Sequence, residues 1–259
     1  MTVDLHHTEA GHGIPLVLLH AFPLSSAMWE AQRAELAEVC RVITPDQRGF
    51  GRSPLGDDPP SLEYAADDLA ALLDRLGLHR VVVGGLSMGG YVAMAFAARY
   101  PDRVAALVLA DTKATADTDE ARHRRERLAD RVLEPGGIAD VFTDLVPALI
   151  GRTTAERRPE VVQRLRDIVG DAPVESIAWA SRAMAARPDS LGVLAKTSVP
   201  ALVVVGDEDG LTPVADAEAM AEVLPDVQMA RLMAAGHVSA LEDPAAFNAA
   251  VRDFVAGLT

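Results

Sequence analysis

Val81-Val82-Val83-Gly84-Gly85-Leu86-Ser87-Met88-Gly89-Gly90 passes from strand-forming residues into a helical pattern, Tyr91 to Arg99, with one glycine-flanked serine at the junction. Gly85 to Gly89 reads G-x-S-x-G, and the strand-to-helix setting is what that pattern requires. Small residues two positions either side of the serine permit a sharp bend in which larger side chains would collide. The bend holds Ser87 out at the C-terminal edge of the strand. The following helix N-terminus aims unpaired backbone N–H groups at the same place, which favours a developing negative charge. As a phosphate cradle the turn fits poorly, because it lacks the G-x-G-x-x-G order and has no lysine after its last glycine.

Outward from this junction, apolar runs of strand length recur at Pro15–His20, Arg41–Pro45, Val104–Ala110, Ala201–Val205 and Val227–Leu232, besides Val81–Gly85. Helical patterns lie between them, at about 26–39, 61–76, 88–100, 213–224 and 244–258. This alternation predicts an α/β fold with a doubly wound, mainly parallel sheet covered by helices on both faces. Val3–His7, followed by Gly11-His12-Gly13, is expected to add an antiparallel edge hairpin. Ser61 offers an N-cap, Gly77 a helix stop and Pro213 a first helical position. Between Ala110 and Ala201 lie about 90 residues without a strand-like run, where a βαβ unit needs about 30. The expected organisation is a core of residues 1–112 and 195–259 with a helical cap inserted over 113–194, broken at Pro135-Gly136-Gly137, Gly151, Gly170 and Pro188. The run Arg122-His123-Arg124-Arg125-Glu126-Arg127 within it reads as a solvated helix face rather than an anion patch.

A serine hydroxyl is a weak nucleophile near neutral pH, so the chemistry demands a base and a group that orients it. His237, in Ala235-Gly236-His237-Val238 after the last strand, falls on the same sheet edge as Ser87 and is the candidate base. Gly206-Asp207-Glu208-Asp209 follows the strand ending at Val205. Asp209 is the choice of acid there, with Asp207 and Glu208 as rivals and Asp111, at another strand end, as an alternative. The oxyanion of acyl transfer needs preorganised donors, each worth about 3–4 kcal/mol. The backbone N–H groups of Met88 and of Phe22, in His20-Ala21-Phe22-Pro23, are the two candidates. His6, His7 and His12 cluster near the N-terminus without cysteine company and read as surface residues rather than metal ligands, so no metal site is expected.

Composition bounds the rest. The 259 residues are 49% hydrophobic and 24% charged, ordinary for a globular domain. A net charge of -14 argues against nucleic acid or an anionic membrane as partner. The single cysteine, Cys40, permits no disulfide within the chain and reads as a packing residue. Met1–Gly13 carries Asp4 and Glu9 and lacks the basic and apolar regions of a signal peptide, and no apolar run approaches bilayer length. A cytoplasmic location is therefore the expectation, with a small molecule as partner and self-association into a homo-oligomer left open.

With these pieces in order, the chain resembles the α/β-hydrolase superfamily over nearly its full length. His20-Ala21-Phe22-Pro23-Leu24 resembles the oxyanion-loop H-G-x-P segment, with Ala21 where glycine is usual. Asp46-Gln47-Arg48-Gly49-Phe50-Gly51-Arg52-Ser53 resembles the D-x-R-G-x-G-x-S turn, which that family uses structurally, so Asp46 and Arg48 stay outside the site. Gly206–Pro213 resembles the acid loop, and Gly236-His237 with Glu242-Asp243-Pro244 the histidine loop. Within the superfamily the likeness is to the small capped branch of 3-oxoadipate enol-lactonases, carboxylesterases and cofactor-free haloperoxidases, and it argues against dehalogenases and epoxide hydrolases, which place aspartate at position 87. The resemblance implies a serine hydrolase of a small carboxylic ester or lactone, with no cofactor, a Ser87–His237–Asp209 triad and an acyl-enzyme. Carbon–carbon bond hydrolysis and perhydrolysis by the same triad are the alternatives, and a non-catalytic ligand-binding member of the fold is the alternative of another class. Trp29, Phe142, Trp179 and Met184 are candidates for the pocket lining.

Overall fold

In the computed structural model, which describes residues 1–258, strands β1 (His7–Ala10), β2 (Ile14–Leu19), β3 (Cys40–Pro45), β4 (Val81–Leu86), β5 (Val104–Ala110), β6 (Ala201–Gly206) and β7 (Val227–Leu232) form one sheet. The spatial order is β1-β3-β2-β4-β5-β6-β7, and every pairing is parallel except that of β1 with β3. All six residues of β4 and of β6 are buried, as expected of central strands covered on both faces. From β2 the chain steps to β3 on one side and, after it, to β4 on the other. That reversal opens a crevice at the C-terminal ends of β2 and β4, the place where doubly wound sheets bind ligands.

The helices α1 (Glu30–Leu36), α2 (Leu62–Arg75), α3 (Met88–Arg99), α4 (Asp119–Arg131), α5 (Arg152–Arg157), α6 (Pro159–Gly170), α7 (Val174–Ala185), α8 (Val214–Val223) and α9 (Pro244–Ala256) are joined by shorter helical turns. Ser61 Oγ caps α2 by accepting from the Glu63 N–H, and Gly77 follows that helix with φ +66°. Between β5 and β6 the chain is helical throughout its regular elements: α4, α6 and α7 end near the expected breaks at Pro135-Gly136-Gly137, Gly170 and Pro188, α5 starts after Gly151, and the break between α5 and α6 at Arg158-Pro159 is an additional one. Cys40 is fully buried in the sheet.

Three local expectations change. The edge strand is His7–Ala10 rather than Val3–His7, and it pairs with β3 instead of forming a hairpin with β2. Both edges of β2 are occupied by β3 and β4, while the Val3 and His6 N–H groups donate to Asp68 Oδ1 and Ser53 Oγ. The single helix expected over 26–39 is a 3-10 turn at Ser26–Trp29 followed by α1, and Ser26 N–H is diverted to Asp46 Oδ1. Pro213 takes the cap position before α8 rather than its first turn.

Candidate active site

Ser87 occupies the turn between β4 and α3 with φ +56° and ψ -114°. That is a strained conformation for a residue with a Cβ, and its neighbours fix it. Its N–H donates to Ala110 O, while its carbonyl accepts from Thr112 Oγ1 and Tyr91 N–H. The flanking glycines let α3 cross the sheet at backbone contact: a Cβ on Gly85 would lie 2.1 Å from the Gly89 carbonyl, and one on Gly89 would lie 2.1 Å from Leu19 O. Because Leu19 O belongs to a central strand, it cannot yield cheaply. Gly89→Ala is expected to cost about 3 kcal/mol and to lower the melting temperature by roughly 10 °C, readable by differential scanning fluorimetry; an unchanged transition refutes the crossing constraint.

The structure brings the expected base and acid to this serine. His237 Nε2 lies 2.8 Å from Ser87 Oγ, and Nδ1 lies 2.8 Å from Asp209 Oδ2. The pattern assigns the Nδ1–H tautomer, with Ser87 Oγ–H donating to Nε2. Asp209 also accepts from Leu211 N–H and Thr212 N–H on Oδ1, and from Thr212 Oγ1 on Oδ2. Burial pushes the Asp209 carboxyl up, but His237 and the Thr212 hydrogen bonds outweigh it and hold the carboxyl below the usual range. For His237, burial opposes protonation, yet Asp209, with Asp111 and Glu242 behind it, raises its pKa above that of an ordinary imidazole.

The rival carboxylates have other work. Asp111 is fully buried and accepts from Gly206 N–H, Ser239 N–H and Ser239 Oγ, tying the acid loop to the histidine loop. Burial and the Asp209 charge push it up to about 8. Asp207 Oδ1 accepts from Ala234 N–H. Glu208 accepts from Thr153 N–H and Oγ1. Glu242, buried, accepts from both Gly151 N–H and Gly236 N–H, so the segment before α5 is stapled to the loop that carries His237. Thr212 and Glu242 were not identified as site residues from the chain. Thr212 lies beside Pro213 in the acid loop, and only the fold turns its hydroxyl onto Asp209.

Both residues expected to supply oxyanion donors lie near Ser87. Met88 is the first residue of α3, where an N–H has no acceptor within the helix. Phe22 lines the same cavity as Ser87 and His237. Its loop is braced from below by His20, whose Nδ1–H donates to Ala21 O and whose Nε2 accepts from Gln47 N–H. Burial lowers the His20 pKa to about 4, so the imidazole is neutral as this bonding needs. Ala21 is fully buried, and its methyl is accommodated where the resembling families carry glycine.

Asp46 accepts from Ser26 N–H, Arg52 N–H and His6 Nδ1, and Arg48 forms a two-pronged pair with Asp68 and another ion pair with Asp58. Both are structural. His6 therefore pairs with a carboxylate from the turn after β3.

Beside Ser87 and His237 opens a cavity of about 230 Å³, lined by Phe22, Tyr91, Leu128, Leu145, Leu149 and Met184 among others. Of the four lining candidates only Met184 borders it. Trp29 packs on Phe247, Trp179 donates to Asp58 O beside Arg48, and Phe142 lies near Gly170. The solvated-face reading of the arginine run holds for Arg122 and Arg124, but Arg125 turns inward to Asp117. Among the described residues no helix is long and apolar enough to cross a membrane.

Residues 14–244 match the family model described as alpha/beta hydrolase fold. The chain is 29% identical over 237 residues to 3-oxoadipate enol-lactonase 2 of Acinetobacter baylyi, an alignment covering 91% of this chain and 86% of that protein. It superposes on a thermophilic esterase from Thermogutta terrifontis, solved with malate bound, with a TM-score of 0.96 and 42% identity over 99% of this chain and 94% of the other. The enol-lactonase from Burkholderia xenovorans LB400 gives a TM-score of 0.89 at 29% identity, over 98% and 97% of the two chains.

Proposed function

The chain belongs to the α/β-hydrolase fold family, and we propose that it is a serine hydrolase that cleaves a small carboxylic ester or lactone through an acyl-enzyme on Ser87. The observation that carries this reading is the unbroken relay Ser87 Oγ, His237 Nε2, His237 Nδ1 and Asp209 Oδ2, with both links at 2.8 Å. The esterases and lactonases among its relatives support ester cleavage in general.

Ser87 Oγ attacks the carbonyl carbon as His237 Nε2 takes its proton, and the carbonyl π electrons move onto oxygen. The Met88 and Phe22 N–H groups receive that oxyanion. As the tetrahedral intermediate collapses, His237 returns the proton to the departing alkoxide, which for a lactone stays tethered to the acyl group. Water, deprotonated by the same imidazole, then attacks the acyl-enzyme and frees the acid and Ser87. Asp209 holds the imidazole in the productive tautomer and balances its transient charge. Residues 113–194 serve as the cap that closes the pocket over the acyl group.

A fluorophosphonate probe tests this reading before any substrate is known, because it phosphonylates only an activated serine. Labelling is expected on the peptide containing Ser87, and it should slow sharply in His237→Gln. A folded protein that stays unlabelled at Ser87 overturns the proposal.

A further inference from the structure

The cavity beside Ser87 carries a charge imbalance that ester cleavage does not use. Lys113, Arg124 and Arg125 border it, and among the described residues Asp117 is the one acidic group in its wall. Asp117 is already occupied on both oxygens: Oδ2 accepts from Arg125 Nε at 2.6 Å, and Oδ1 lies 2.9 Å from an Arg187 guanidinium nitrogen. Burial pushes that carboxyl up, but the two guanidiniums hold it below the usual range. Arg187 is otherwise engaged by Met184 O, Thr115 O and the face of Tyr91. Arg124 is drawn outward to Glu120.

Lys113 is the most loosely held of these cations, its ion pair with Asp117 being the longest of the four. Its Nζ lies 3.6 Å from Asp117 Oδ1 and has no hydrogen-bond partner among the described residues, although its side chain is only 21% exposed. Asp216 acts on it through space without forming an ion pair. A half-sheltered ammonium with unused donors, in a pocket of surplus positive charge, is the electrostatic complement of an anion. The whole-chain charge of -14 would repel such a ligand, so the attraction has to be local. Lysine is also scarce here: Lys113 and Lys196 are the two lysines among 24 basic residues. An ammonium with rotatable donors can follow a carboxylate on chains of different length, which a planar guanidinium fixed by Asp117 cannot.

We propose that Lys113, beside the Arg125 guanidinium, forms a carboxylate subsite, so that the preferred substrate is an ester or lactone bearing a second, free carboxylate, such as the half-ester of a dicarboxylic acid. This rests on Ser87 being the nucleophile: the scissile carbonyl sits at Ser87 while the free carboxylate sits on Lys113.

The test compares monomethyl with dimethyl esters of succinate, glutarate and adipate, and asks whether the free dicarboxylates compete with p-nitrophenyl acetate. The wild-type protein is expected to favour at least one half-ester over its diester by roughly 10- to 100-fold in kcat/KM, the range of a charge-assisted hydrogen bond, with the difference mainly in KM. Lys113→Gln should collapse that ratio and abolish dicarboxylate inhibition, and Lys113→Arg should restore part of both. A wild-type ratio near or below one for all three acids, or a ratio and inhibition unchanged in Lys113→Gln, overturns the subsite. Either result leaves the hydrolase reading standing provided p-nitrophenyl acetate is turned over and Ser87 is labelled by fluorophosphonate. Absence of both signals removes that reading and the subsite with it.

Discussion

Ser87→Ala is expected to lower kcat on any ester the protein turns over by about a millionfold, with a melting transition indistinguishable from wild type. Two features separate the chemistry from the fold. The Ser87 backbone is held by Ala110 O, Thr112 Oγ1 and Tyr91 N–H, none of which touches the hydroxyl. Oγ itself has His237 Nε2 as its partner. Alanine also keeps a Cβ at the same positive φ, so the substitution neither adds nor relieves strain. His237→Ala should cost about as much, and the double variant little more than either single one, because nucleophile and base act as one unit. Activity of Ser87→Ala within about tenfold of wild type in a purified, correctly folded sample excludes the acyl-enzyme. The assay is steady-state hydrolysis of a p-nitrophenyl ester after active-site titration, which guards against a trace of contaminating esterase.

What could be read from the chain follows from how local each signal is. Gly85 to Gly89 encodes the tight turn at Ser87 because its requirement is steric and lies within five residues: a Cβ at either glycine strikes backbone. The parallel strands were legible for a similar reason, since burial on both faces writes a continuous apolar run such as Val81-Val82-Val83. The antiparallel edge was misplaced because its partner is set by which sheet edge remains free, a property of β2 and β3 rather than of residues 3–7. The lining was least legible. Trp29 and Trp179 are among the candidates for it, yet both are used in packing. Tyr91, Lys113 and Arg125 reach the cavity from α3, the segment after β5 and α4, three parts of the chain whose meeting no local pattern specifies. Periodicity likewise treats Arg124 and Arg125 as one solvated run, although Asp117 captures the second and Glu120 the first.

The choice between Asp209 and Asp111 as the orienting acid has the second largest expected consequence. Asp209→Asn should reduce kcat by about ten thousandfold with the fold intact, because an amide facing Nδ1 favours the tautomer that cannot accept the Ser87 proton. The pH profile carries an independent signature. The proposed mechanism requires neutral His237, so kcat/KM should be lost as pH falls through the imidazole pKa. In the wild-type protein Asp209 raises that pKa against the opposing effect of burial, which places the acid limb above the range of an ordinary histidine. Without the Asp209 charge, burial acts with less opposition, so the residual activity of Asp209→Asn should show its acid limb displaced to lower pH. Asp111→Asn separates the two carboxylates. An amide there can accept from Gly206 N–H but cannot also accept from Ser239 N–H, so the loss falls on stability, about 1–3 kcal/mol, while most of the turnover remains. If Asp111→Asn instead produces the ten-thousandfold loss and Asp209→Asn does not, the roles are reversed: Asp111 orients the base, and the 2.8 Å contact between Asp209 and His237 is a structural one.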